Sequence, residues 1–370
     1  MNDMMTLPAG QSFTGFEGAE KKLLVRFSTA ALSQEDRGLR KLPRSEWSKV
    51  LDLAHCTILS HTPNPHFDAY VLSESSLFVY RNQVILKTCG TSSLLLCLPE
   101  VLRLAKDLAL SVEFVFYSRR NFLFPERQPA PHTSFVDEVV FLKRYFANGQ
   151  DSTFGPTDGD HWNVFVADYR AAEQKVVLPE HRFTYEITMT RLDEAAMKQF
   201  YKESEGESDE EDNTNSKKTG ENILVSSGIS ELVKGALTDE FLFEPCGFSM
   251  NALHAEAYYS MHITPEPHCS FISFETNNAA INVCDLTKRI LDLFKPGRLV
   301  LTQIEDRSDC PRPQSAEDDA EGEAAAVLSP LTTDLSLGGA YKETCRAGHD
   351  FGGSSNVQVW SFVRGGLHEE

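Results

Sequence analysis

Four short stretches place reactive polar side chains inside otherwise strand-like sequence. They are Phe16-Glu17-Gly18-Ala19-Glu20, Leu72-Ser73-Glu74-Ser75-Ser76-Leu77, Lys87-Thr88-Cys89-Gly90, and Pro245-Cys246-Gly247-Phe248-Ser249-Met250 with its neighbour His262-Ile263-Thr264-Pro265-Glu266. Together they hold hydroxyls, thiols, an imidazole and several carboxylates, the groups used for nucleophilic attack and proton transfer. Each stretch alone is a weak signal. Glu-Ser-Ser between two apolar runs is usually a plain turn, a cysteine after Lys-Thr is usually core, and a histidine ending a strand is usually structural.

The elements that must position these residues alternate between periods of two and 3.6. Ala69–Leu72 and Leu77–Tyr80 are apolar runs, and Arg81-Asn82 separates the second from Val84–Thr88 in a hairpin pattern. Ser92–Leu108 and Phe135–Phe146 have helical spacing, with strands expected at Val112–Tyr117, Trp162–Ala167 and Phe183–Met189. Asp193 is placed to cap a helix reaching Tyr201. The second half repeats the rhythm: strands at Phe241–Phe243, Phe248–Thr264 (broken near His254), Ser270–Phe274, Leu299–Gln303 and Val357–Val363, and a helix at Cys284–Phe294. That pattern predicts an α+β protein of antiparallel sheets with outer helices, built from an internal duplication.

Composition narrows the classes. The 370 residues suit one large domain with ample core. The formal charge of −19 argues against a nucleic-acid partner, which needs a basic face. Much of that charge sits in two segments, 203–222 and 309–326, which read as flexible acidic insertions. No apolar run approaches the roughly 20 residues that span a bilayer, and Met1–Gly10 has no secretory pattern, so a cytoplasmic protein without a membrane partner is expected. The eight cysteines show no C-x-x-C spacing, and Pro265 opposes a helical turn joining His262 to Glu266, so no metal is expected.

Taken together, the four stretches resemble those of eukaryotic S-adenosylmethionine decarboxylases, in the family order, from Phe16 to about Val363. The resemblance implies a single domain folded as a four-layer α/β/β/α sandwich. It implies a zymogen that cleaves itself at Glu74-Ser75 into chains 1–74 and 75–370, the former staying as the β chain of the enzyme. Ser75 would attack the Glu74 carbonyl to give an ester, and β-elimination and hydrolysis would leave a covalent pyruvoyl group at position 75. That ketone would form a Schiff base with the substrate amine and act as electron sink for decarboxylation, yielding the aminopropyl donor of spermidine and spermine biosynthesis. His262 would accept the α-proton, Ser249 would assist the acyl shift and Cys89 would return a proton to the substrate. Phe16 and Phe243 would sandwich the adenine, the Glu74 backbone would read its edge and Glu266 would take the ribose hydroxyls. Glu17 and Glu20 would lie near the sulfonium.

Animal-type members bind putrescine in a buried acidic cluster, matched here by Lys87, Thr184, Glu186 and Glu275. Arg182 stands where the family has an aspartate, and Leu24 where it has a glutamate. Those replacements make the expected cluster neutral, with Arg182 as a built-in substitute for the diamine, as in plant members. The αβ unit is then expected as either a monomer or a dimer. Two other readings compete: a catalytically dead regulatory paralogue, which the retained serine and catalytic acids argue against, and an acidic interaction scaffold, which would remain one uncut chain.

Overall fold

Among the described residues, sixteen strands fall in two runs of eight. The structure, a computed structural model, describes residues 15–157, 159–170, 182–202, 219–306, 337, 339–351 and 355–366. The first run is β1 (Lys21–Phe27), β2 (Ile58–Pro63), β3 (Phe67–Leu72), β4 (Ser75–Tyr80), β5 (Gln83–Thr88), β6 (Val112–Arg120), β7 (Gln150–Phe154) and β8 (Trp162–Asp168). The second is β9 (Arg182–Thr190), β10 (Leu237–Leu242), β11 (Phe248–His254), β12 (Ala257–Thr264), β13 (Phe271–Thr276), β14 (Arg298–Asp306), β15 (Tyr341–Asp350) and β16 (Ser355–Arg364). One sheet runs β2-β3-β4-β5-β1-β6-β8-β7, and the other runs β10-β11-β12-β13-β9-β14-β16-β15. Adding eight to every strand of the first order reproduces the second, as an internal duplication predicts.

Helices α1 (Arg44–Asp52), α2 (Leu98–Asp107) and α3 (Phe135–Lys143) cover the first sheet, and α4 (Glu194–Met197), α5 (Gly220–Ser226) and α6 (Val283–Phe294) cover the second. α6 shows why. Asn282 accepts a hydrogen bond from the Asp285 amide at 3.1 Å and caps the start. Leu286, Ile290, Leu291 and Phe294 then line one buried face, and Lys295 ends the helix in the left-handed region. The expected helix at 92–108 begins as a 3₁₀ turn, Leu94–Cys97, because Pro99 favours the first turn of α2 over an interior position. The helix expected to reach Phe146 stops at Lys143. Of the expected insertion at 203–222, residues 203–218 lie outside the described residues. Its far boundary moves back to 218, because Thr219 accepts the Asn222 amide and caps α5. Segment 309–326 also lies outside them.

Between the sheets the packing is apolar on two sides and charged in the middle. Phe114, Phe116, Trp162 and Val164 meet Val300, Ile304, Val357 and Val359 on one side, and Phe67, Phe78 and Ile85 meet Leu253 and Tyr258 on the other. In the centre, Lys22 of β1 lies beside Lys87 of β5, while Glu186 of β9 lies beside Glu275 of β13. These are equivalent strands of the two halves, so one half presents two lysines where the other presents two glutamates. Lys22 Nζ is 2.7 Å from Glu275 Oε1, and Lys87 Nζ is 3.2 Å from Glu275 Oε2. Tyr258 also donates to Glu275.

Removing one member of a buried ion pair leaves an uncompensated charge, which costs about 3–5 kcal/mol. In the uncleavable Ser75→Ala chain, Glu275→Gln is therefore expected to lower the unfolding free energy by an amount of that order, read as a fall in the urea midpoint with the slope unchanged. An unaltered midpoint would show that the two lysines do not depend on this carboxylate.

Candidate active site

The β3–β4 hairpin brings Ser75 to the edge of the charged layer. Strand pairing holds it between Leu72 and Thr88, and its φ of 125° is a conformation that L-residues avoid. Holding it there costs about 1–3 kcal/mol, so the surrounding pairing must impose it. The Ser75 side chain is 1% exposed and its hydroxyl donates to Glu20. The carbonyl just before it, that of Glu74, accepts two hydrogen bonds from one residue. The Cys89 amide donates at 2.9 Å and the Cys89 thiol at 3.5 Å.

Burial, with the nearby Glu74 carboxyl, pushes the Cys89 thiol well above its ordinary pKa. The thiol therefore keeps its proton and serves as donor. Gly90, at φ 61°, turns the chain directly after it, and a methyl group there would lie 2.8 Å from Glu74 Oε2 and 3.2 Å from the Phe16 ring. Only glycine permits both the turn and that approach. Lys21, buried on β1, fixes the turn by donating to the Gly90 carbonyl and to Gln128 Oε1, both at 3.1 Å. Burial brings the Lys21 pKa down to about 8.

His262 approaches from the second half. Adjacent strands β11 and β12 set Ser249 opposite it in register, and Ser249 Oγ lies 2.9 Å from Nδ1. Ser76 Oγ lies 3.0 Å from Nε2 and donates to Asn251 Oδ1 at 2.7 Å. That assigns the resting proton to Nε2, with Nδ1 accepting from Ser249. Burial lowers the His262 pKa to about 4, against the pull of Glu20, so the imidazole is neutral at pH 7. Glu20 Oε1 is 3.7 Å from Nε2. Burial alone would raise the Glu20 pKa, but Lys87 at 3.0 Å, His262 and the Ser273 and Ser75 hydroxyls together outweigh it and hold the carboxyl at about 2.

Lys87, Glu186 and Glu275 of the expected diamine cluster lie together, and Lys22, which sequence reasoning passed over, joins them. Arg182 opens β9 opposite Asp306, and its side chain lies outside the described residues. Leu24 and Thr184 line a cavity of about 450 Å³ beside Lys22. Burial and then Glu275 raise the Glu186 pKa to about 8, so it carries a proton at pH 7. Among the described side chains, Lys22 and Lys87 are thus balanced by Glu20 and Glu275, and that set is neutral.

The remaining expected residues divide. Phe16 is 37% exposed and packs at Gly90, and burial raises the Glu74 carboxyl to about 7. Phe243 packs at Gly247 with Phe241 edge-on at 4.9 Å, and half-buried Glu266 starts the 3₁₀ turn Pro267–Cys269. Glu17 is not brought to Ser75. Its carboxylate accepts the Ala19 and Phe124 amides at 3.1 and 2.8 Å, and its carbonyl accepts the Gly90 amide at 2.8 Å. It braces the Cys89 turn from behind. Lys21, Lys22, Ser76, Asn251 and Gln128 were missed. The detectable signal was Lys21-Lys22 opening an apolar run, since charges there need buried partners.

Known proteins resemble this chain over most of its length. The family model "Adenosylmethionine decarboxylase" matches residues 13–362. A protein from Dictyostelium discoideum named S-adenosylmethionine decarboxylase proenzyme is 43% identical over 313 residues, covering 82% of this chain and 78% of its own. Proteins of the same name from Xenopus laevis and Oryza sativa subsp. japonica are 39% and 40% identical, covering 79% and 78% of this chain and 84% and 72% of their own. The crystal structure of a Trypanosoma brucei AdoMetDC-delta26 monomer superposes with a TM-score of 0.56 at 27% identity, over 78% of this chain and 98% of that one. By that family match and those identities, the chain belongs to the adenosylmethionine decarboxylase family.

Proposed function

We infer that the chain is a proenzyme that cleaves itself between Glu74 and Ser75 and then decarboxylates S-adenosylmethionine in the cytoplasm. The product is the aminopropyl donor for spermidine and spermine. The observation that carries the reading is the pair of Cys89 donors on the Glu74 carbonyl, set beside a serine in a strained backbone conformation. Donors aimed at a carbonyl oxygen stabilise the negative charge that develops there during attack.

The Ser75 hydroxyl adds to the Glu74 carbonyl carbon, and the carbon–nitrogen bond then breaks as the amine takes a proton. An ester replaces the amide. Leaving the extended strand lets residue 75 release its unfavourable φ, which favours the shift. For the elimination His262 takes the tautomer in which Nδ1–H donates to Ser249 and Nε2 carries no proton, while Ser76 keeps its hydrogen bond to Asn251. That nitrogen takes the α-proton of residue 75. The Cβ–oxygen bond breaks, and the Glu74 carboxylate leaves as the end of chain 1–74. The dehydroalanine heading chain 75–370 tautomerises and is hydrolysed, with loss of ammonia, to a pyruvoyl group.

Residues around position 75 fit such a group: Glu20 meets the Ser75 hydroxyl, Cys89 meets the Glu74 carbonyl just before it, and His262 meets Ser76 just after it. The pyruvoyl ketone would supply an electron sink for the carbon that loses carbon dioxide. Cys89, held as a thiol, is placed to return the proton, and Phe16, Phe243 and Glu266 are assigned to the adenine and ribose. Chain 1–74 stays in place because its β1 lies between β5 and β6 of the longer chain.

Two experiments test the reading. Denaturing mass analysis of purified wild type should give fragments 1–74 and 75–370, and Ser75→Ala should give one intact, inactive chain. Cys89→Ala should still cleave, because its backbone amide remains, yet lose about 10²–10⁴-fold in decarboxylation with the donor gone. An uncut, fully active wild type would refute the assignment. The second concerns regulation. Placing a dication in a neutral, self-paired cluster leaves net charge in a poorly solvated site. Millimolar putrescine is therefore expected to leave cleavage and turnover unchanged. Several-fold stimulation would refute the neutral, self-paired reading of the cluster.

A further inference from the structure

One 3₁₀ turn gathers three different metal-ligand types at the rim of the site. Glu266 precedes Pro267–Cys269, and the Cys269 amide donates back to the Glu266 carbonyl at 3.1 Å. The turn places the Glu266 carboxylate, the His268 imidazole and the Cys269 thiol with ligand atoms all within 4.8 Å of one another. Pro265 and Pro267 fix the backbone on either side of Glu266, so the arrangement exists without a metal. The His268 ring rests against Gly15, where even a methyl group would approach Nε2 to 3.0 Å. Cys269 is buried, yet with His268 it lines a cavity of about 280 Å³.

Bonds of ~2.0–2.3 Å to one zinc ion set ligand atoms roughly 3.5 Å apart in a tetrahedral site. Rotation of half-buried Glu266 and exposed His268 closes the remaining distance. The mixed oxygen, nitrogen and sulfur set suits a borderline-soft d-block cation over magnesium or calcium, which prefer all-oxygen sites.

We propose that Glu266, His268 and Cys269 bind a divalent cation of the zinc class, and that the bound ion excludes substrate by occupying Glu266. The exclusion rests on the ribose role inferred above for Glu266, whereas the metal site stands without it. Binding replaces the Cys269 thiol proton with the metal, so one proton leaves and affinity rises with pH. A cysteine buried by its neighbours and flanked by a carboxylate is otherwise inert.

Equilibrium dialysis against zinc chloride, after chelator treatment of the wild-type protein, is expected to leave one tightly held zinc per chain. Cobalt(II) in its place should give a thiolate charge-transfer band. Cys269→Ser and His268→Ala should each weaken zinc binding at least about tenfold, by loss of one of three ligands, and Cys269→Ser should abolish the band. Both variants should match wild type in metal-free activity and thermal melting. With wild type, zinc should raise the apparent KM without lowering kcat, and chelator should reverse it. Variants that bind zinc as tightly as wild type, or are inhibited as strongly, would overturn the site. Zinc bound without a rise in KM would overturn the exclusion. Absence of any decarboxylase activity would count against the function and leave dialysis and the cobalt spectrum to decide the metal site.

Discussion

Two lysines buried against glutamates between the sheets are the constraint on which the rest depends. Charged groups deep in a protein persist only with partners in good geometry. Lys22 and Lys87 come from the first sheet, and Glu186 and Glu275 from equivalent strands of the second. The pairing therefore fixes how the two halves stack. That stacking in turn brings His262 and Ser249 of one half to Ser75, Ser76 and Glu20 of the other. Glu20 belongs to both systems: it receives Lys87 on one oxygen and the Ser75 hydroxyl on the other. The charge layer that aligns the halves also holds the reactive hydroxyl.

The same economy appears at Cys89. Its amide and thiol both converge on the Glu74 carbonyl, and burial keeps the thiol protonated. A thiolate there would repel the oxygen it now stabilises. Burial of the imidazole works in the opposite direction, keeping His262 uncharged and able to accept. One low-dielectric pocket thus produces a retained acid and an available base, because desolvation disfavours the charged form of each.

Much of this was legible before folding. The central strands β3 to β5 carry short apolar runs parted by a turn signal at Arg81-Asn82, and Asp193 sits where a cap belongs. What escaped has physical reasons. β1 opens with Lys21-Lys22 and contains Arg26, so its polar positions hide a strand buried on both faces. β15 is an edge strand with mostly exposed residues and no apolar face to announce it. Glu17 and Glu20 look equivalent in sequence, yet the first binds amides behind the site and the second binds the serine. Such a division depends on which backbone amides come near, and spacing carries no trace of it. Lys22 was overlooked for a related reason: its partner Glu275 is 253 residues away.

The position of β1 has a consequence for the lifetime of the molecule. It lies inside its sheet, hydrogen-bonded to β5 on one side and β6 on the other. While the backbone is continuous, that insertion is an intramolecular event at high effective concentration. With the proposed cut before β4, rebuilding the sheet would require two separate polypeptides to find each other. The folded molecule would then persist by the height of its unfolding barrier, as an object assembled once.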